Sequence, residues 1–151
     1  KTDDGKYSIT INEKIKISGI TITNGKAIMP HNEWNGKKYY FVWANDPGFL
    51  AMVADAIINK SIASASTTEI TKADVRAKDI GTLKGYGEIE INGEFLIKSI
   101  PVFIGGRYGD GIGDPAIKVD GEWAPMVKFL DKGFKNTVKE IILKKYYSLS
   151  S

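Results

Sequence analysis

The sequence predicts an α+β fold in which two copies of one unit, each an antiparallel β-sheet with a C-terminal amphipathic helix, pack as a pseudo-dimer. Three observations predict it. The stretch "DPGFLAMVADAIINK" (46–60) returns as "DKGFKNTVKEIILKK" (131–145), so that Asp46, Gly48, Phe49 and Val53 meet Asp131, Gly133, Phe134 and Val138. Upstream, "SITINEKIKISGITITNG" (8–25) faces "EIEINGEFLIKSIPVFIG" (88–105) at an offset of 80, with Ile9, Ile11, Asn12 and Ile17 on Ile89, Ile91, Asn92 and Ile97. Between these blocks the dipeptides Asn35-Gly36 and Asp120-Gly121 stand at matching places, and such pairs suit the positive φ angles of tight hairpin turns. A period of this kind decides the architecture before any local reading does.

The elements follow in order. Apolar residues alternate on both sides of Asn12 and of Asn92, the mark of a hairpin with one buried face. From Pro30 and Pro115 onward the offset becomes 85, because the second copy carries five extra residues in "GGRYGDGIGDP" (105–115), expected to be a hairpin loop. A second pair of strands then surrounds each turn dipeptide. Each copy ends in a helix, with Asp46 and Asp131 as N-caps and Pro47 at the first helical position. The polar stretch 61–70 reads as a linker between repeat 1 (1–60) and repeat 2 (71–151). "TKADVRAKD" (71–79) adds a strand for which repeat 1 has no counterpart, so repeat 1 is expected to lack its initial strand. Units of about 70 residues bury too little surface to be robust alone, which is the physical reason to expect the copies to pack together.

Composition narrows the function classes. The chain is 42% hydrophobic and 26% charged, a globular balance, and no apolar run approaches the roughly 20 residues of a membrane span. It has no cysteine, which excludes thiolate metal sites and thiol nucleophiles and suits a cytoplasmic, reducing setting. Net charge is +3, from 21 basic and 18 acidic side chains, so any electrostatic recognition must be local. The lone histidine, His31, has no nucleophile and carboxylate pattern beside it, and no cofactor, metal or catalytic site is expected.

The helices differ on one flank. At 100° per residue Phe134, Val138, Ile141 and Ile142 form an apolar face, and beside it lie Lys132, Lys135 and Lys139, where the first helix has Pro47, Leu50 and Ala54. The lysine flank is a candidate phosphate contact, and the apolar flank is expected to be buried. Ile58 and Leu143 are expected where the copies touch. Arg107 and Tyr108 in the Gly-rich loop are candidate ligand contacts. Lys37 and Lys38 open "KKYYFVW" (37–43), which mixes cations with aromatics as single-strand binders and edge strands both do. Trp34, Trp43 and Trp123 are expected to pack over the sheets.

The order of these pieces resembles the SpoVG (stage V sporulation protein G) family. Its opening Thr-Asp-Val-Arg strand is similar to "TKADVRAKD", with Asp74, Val75 and Arg76. The strand pair that follows resembles "GEIEINGEFLIKSIPVFIGG", and the Met-Pro loop and Asp-Gly-aromatic turn resemble "DGEW" and, in the first copy, "IMP" with "NG". The closing helix near a tyrosine resembles "KNTVKEIILKKYY". The resemblance implies dimeric bacterial regulators, including at septation and sporulation, that bind DNA and RNA. The family's basic pair after Met-Pro falls here on Asn32 and Glu33, and on Ile117 and Lys118, so only Lys118 is retained. The expected nucleic-acid contacts are thus Lys118, Lys132, Lys135, Lys139 and Arg107, with Lys37 and Lys38 in support. The alternative is a structural or protein-interaction module that kept the fold and lost the nucleic acid.

Overall fold

The computed structural model describes residues 5–60, 67–107 and 109–149. The fold is α+β, with antiparallel sheets and two helices among the described residues. Most of the stretch expected as linker, and Tyr108, lie outside them.

The first half opens with the hairpin of β1 (Tyr7–Ile11) and β2 (Ile15–Thr23), whose turn places Asn12 and Glu13 at positive φ. Inward Ile9, Ile11, Ile15 and Ile17 are buried, while Ser8, Thr10 and Lys16 point outward and stay exposed, the alternation that gives a strand one core face. β3 (Lys26–Ile28) folds back on β2 through Asn24-Gly25. β4 (His31–Trp34) and β5 (Lys37–Tyr40) make a separate two-stranded hairpin around Asn35-Gly36, followed by the short β6 (Val42–Ala44). α1 (Pro47–Ile58) starts at its expected N-cap, where the Asp46 carboxylate accepts from the Gly48 N–H at 2.9 Å.

The second half adds β7 (Ile70–Ile80), which begins inside the expected linker, ahead of β8 (Leu83–Ile91) and β9 (Phe95–Gly106). The stretch expected as a loop after Gly105 is instead a strand. β10 (Gly109–Ile112) pairs back on β9, because the extra glycines permit a tight reversal with Gly105 and Gly109 at positive φ. β11 (Ala116–Val119) and β12 (Glu122–Pro125) form a second isolated hairpin, followed by β13 (Val127–Phe129) and α2 (Lys132–Ser148), capped by Asp131 on the Phe134 N–H at 2.8 Å.

Sheet order joins the halves. β13 pairs with β2, giving the path β1-β2-β13 with β3 also on β2, and β6 pairs with β9 beside the path β10-β9-β8-β7. Each half thus lends one strand to the other's sheet. The registers correspond at the sequence offsets: Val42↔Ile97, Trp43↔Leu96 and Ala44↔Phe95 against Val127↔Ile17, Lys128↔Lys16 and Phe129↔Ile15. The flanking backbone bonds correspond as well, Lys98 N–H to Phe41 C=O and Ser18 N–H to Met126 C=O, each 2.8 Å. β1–β2 and β8–β9 also share a register break, between Tyr7 and Ile9 and between Gly87 and Ile89. Gly19 and Ser99, on the partner strands, both take positive φ, as a bulge of this kind requires.

One hydrophobic core runs through both halves. Phe49 of α1 stacks on Phe95 of β9 at 4.2 Å, an aromatic contact from one half to the other. α1 buries Ala54 as well as Phe49, Val53 and Ala56, but the flank expected to be buried is covered only in part, with Pro47 exposed and Leu50 half-buried; α2 buries Phe134, Val138 and Ile142. Ile58 is 52% exposed and takes no part in joining the halves; the exchanged strands do that. No helix among the described residues is long and apolar enough to cross a membrane.

Candidate nucleic-acid interface

The expected contact residues fall in three places. Lys132, Lys135 and Lys139 share one flank of α2, with Lys132 exposed and the other two half-buried. Lys135 lies 4.0 Å from the carboxylate of Asp114, the residue from which the β11–β12 hairpin departs. That contact sets the root of the hairpin against the flank. Further along the hairpin, exposed Lys118 is paired with Trp123 and holds its ammonium 5.9 Å from the ring. Arg107 belongs elsewhere. It sits in the β9–β10 turn, and this hairpin is tied to the far end of α2 by the hydrogen bond from the Tyr147 hydroxyl to Asp110. Lys132 and Tyr147 stand about 22 Å apart along a helix axis at 1.5 Å per residue.

Lys37 and Lys38 lie on β5, and Lys38 enters a third site that sequence reading did not assemble. A groove of about 520 Å³ opens between the β4–β5 hairpin and the outer face of the second-half sheet. Its aromatic members are Tyr39, Tyr40, Trp43 and Tyr86; its cations are Lys38, Arg76 and Lys98; its carboxylates are Asp74 and Glu88. The strand pleat explains the assembly: Tyr86 and Glu88 project from alternate outward positions of β8, while Arg76 and Asp74 are their register partners on β7. Three rings run in sequence, with His31 to Tyr40 at 5.0 Å and Tyr40 to Trp43 at 5.4 Å edge-on. Trp43 is 47% exposed at the sheet's outer face, whereas Trp34 and Trp123, on the isolated hairpins, are 66% and 68% exposed and do not pack over the sheets as expected. Tyr40 and Trp43 are within the stretch whose mixture of cations and aromatics stands out in the sequence. Tyr86, Arg76 and Lys98 carry no such signal, since nothing in one strand reveals which residues of another share its face.

The groove's charges are partly internal. Lys98 meets Glu88 at 3.6 Å, whereas Lys38 and Arg76 make no ion pair with described residues. The adjoining larger groove along β7 has a different chemistry. It is lined by Asp74, Glu88 and Glu90 together with Lys72 and Lys145 but by no aromatic ring among the described residues, and Glu90 accepts hydrogen bonds from Asn45 at 2.9 Å and Thr71 at 2.8 Å. At the β9–β10 hairpin Asp110 accepts from Tyr147 and, at 2.9 Å, from the Gly105 N–H; these bonds hold its carboxyl below the usual carboxylate range, and the bond to Asp110 pushes the Tyr147 phenol up. Asp114 faces Lys135 instead, so the two carboxylates of this segment serve different contacts.

The first half shows what changes when the same outward positions are filled differently. The row Glu90–Leu96–Trp43 across β8, β9 and β6 corresponds to Thr10–Lys16–Lys128 across β1, β2 and β13. The Lys98–Glu88 ion pair corresponds to a hydrogen bond from the Ser8 hydroxyl to that of Ser18 at 3.1 Å. Comparison with known proteins adds no name, for the chain matches no protein-family model and no curated protein.

Proposed function

We propose that this chain is a nucleic-acid-binding regulatory protein of the SpoVG type, working in the cytoplasm as a covalent pseudo-dimer and without a catalytic step. The observation that carries the binding is the groove, where Tyr39, Tyr40, Trp43 and Tyr86 alternate with Lys38, Arg76 and Lys98. Bases stack on exposed rings at about 1–3 kcal/mol each while cations follow the backbone, which favours single strands over duplex. Lys118, Lys132 and Lys139 provide further phosphate contacts around the second hairpin. The reciprocal strand exchange supports the pseudo-dimer, because a fused homodimer preserves both halves of each intersubunit contact.

The experiment is a salt titration of binding to single-stranded DNA, RNA and duplex DNA, with wild type beside Trp43→Ala, Arg76→Ala and a Lys132/Lys135/Lys139 triple-alanine variant. Trp43→Ala is expected to weaken single-strand binding about tenfold with little change in salt slope. The lysine triple should flatten the slope by about 0.7 for each phosphate that these side chains hold in wild type. Absence of binding to every strand at low salt sinks the reading. A protein-interaction module is then the better account, one that Asp74 and Glu88 in the groove already favour. For the pseudo-dimer, a chain cut once between residues 60 and 67 should remain one particle in native buffer and separate in urea. Two folded monomers after cutting would refute it.

A further inference from the structure

Lys16 and Lys128 are register partners on neighbouring strands, both point away from the core, and both are exposed. Like charges placed directly opposite on one sheet face repel. Neither ammonium has an ion-pair or hydrogen-bond partner among the described residues. A protective role against edge-to-edge pairing accounts for a lysine on an edge strand. It covers Lys128 on β13, but Lys16 lies on β2, which has β1 on one side and β13 on the other.

The surroundings are equally specific. Thr10 is the register partner of Lys16 on β1, so Thr10, Lys16 and Lys128 form a straight row across three strands spaced about 4.8 Å apart. The hydroxyls of Ser8 and Ser18 lie on the same face. In the second half the corresponding row is Glu90, Leu96 and Trp43, and the ion pair Lys98–Glu88 stands where Ser8 and Ser18 are. Where the second-half face carries two carboxylates, two apolar groups and one ammonium, the first-half face thus carries two ammoniums and three hydroxyls. Lysine ammoniums and serine and threonine hydroxyls donate to phosphate oxygens, the contacts that position a strand without reading its sequence.

We propose that the outer face of β1–β2–β13 binds the phosphodiester backbone of the strand whose bases the second-half groove receives. Lys16 and Lys128 hold the phosphates, and Thr10 and Ser18 donate hydroxyl hydrogen bonds beside them. This rests on the nucleic-acid reading and divides its work between the halves: backbone on one sheet, bases on the other.

The test uses two probes of equal length, an oligothymidylate and an abasic oligonucleotide that carries the phosphates without bases. Wild type is compared with Lys16→Gln/Lys128→Gln and with Trp43→Ala, each checked by circular dichroism for the wild-type fold. A second face variant, Lys16→Leu/Lys128→Trp, copies the second-half pair and guards against loss of fold in the first. The expected result is that wild type binds the abasic strand and the glutamine variant binds it several-fold more weakly. The slope of log affinity against log salt should be lower by about 1.4, two phosphates at 0.7 each. Trp43→Ala should weaken oligothymidylate and leave the abasic strand unchanged. Unaltered affinity and slope for the abasic strand in both lysine variants overturns the face while leaving the groove standing. Loss of abasic binding in the lysine variants, with oligothymidylate bound no tighter than the abasic strand by wild type, supports the face as a polyanion site and overturns the groove. No binding of either probe at low salt overturns both.

Discussion

In the second half β8 is flanked by β7 along its whole length, and α2 packs across the pair; in the first half β1 occupies the corresponding place and is an edge strand among the described residues. Ile142 of α2 is fully buried, and Gly87 beneath it is so close that a Cβ there would lie 2.7 Å from its Cδ1. At the corresponding places stand Tyr7, which offers no such seat, and Ile57, which is only half-buried. Ile142 is sealed in because the strand below comes close and a further strand closes the side. The two sheets therefore share a register and differ in how completely they are covered.

Truncating the two isoleucines should expose the difference in cover. Ile142→Ala should cost about 2–5 kcal/mol, since a closed site cannot collapse around the missing methyl groups. Ile57→Ala should cost about 1 kcal/mol, the ordinary effect at a partly exposed position. Urea denaturation of the two variants checks the difference. Equal costs would mean that β7 adds nothing to the burial of its own helix.

A smaller effect sharpens the contrast between the outer faces. A double-mutant cycle on Lys98 and Glu88 should give a coupling of about 0.2–1 kcal/mol that shrinks as salt is added, because the pair is partly exposed. The matching cycle on Ser8 and Ser18 should give a coupling that salt leaves alone, since neither hydroxyl is charged. A salt-sensitive serine coupling would show that nearby Lys16 and Lys128 act through the hydroxyls.

Much of the fold is legible in the sequence. Period-two alternation places β1, β2, β8 and β9, the Asn-Gly and Asp-Gly pairs place both isolated hairpins, and Asp46 and Asp131 place both helix starts. The exchanged strands β6 and β13 are not legible, because three residues carry no period and their partners lie in the other half. For the same reason the like-charge pair Lys16 and Lys128 is invisible until the register is known. The glycine-rich stretch reads as a loop because glycine lowers every strand propensity. It forms β10 because its backbone pairs with β9 and its Asp110 is held from outside the hairpin.

That anchoring separates the two halves once more. The β2–β3 hairpin packs on α1 through buried Ala27, while β9–β10 is tied to α2 by a latch, the side-chain hydrogen bond between Tyr147 and Asp110. The hydrogen bond from Tyr147, and after it the one from the Gly105 N–H, favours the charged carboxylate, so Asp110 titrates below its ordinary 3.8. The latch is therefore intact above 3.8 and is lost as pH falls through the lower, folded-state value. Tyr147 is shifted the other way, chiefly by the same bond, and titrates above 10.0, so it holds the latch below that pH and releases it as pH rises through its raised value. Both groups are exposed, so global stability should change little across the window. The amide of Gly105 should instead report the change: its exchange should quicken and its chemical shift move below pH 3.8, with Asp110→Asn showing the altered shift at neutral pH. Tyr147→Phe should leave the Gly105 contact in place and raise the Asp110 titration toward 3.8. If the amide titrates identically in wild type and Tyr147→Phe, the tyrosine does not hold the hairpin.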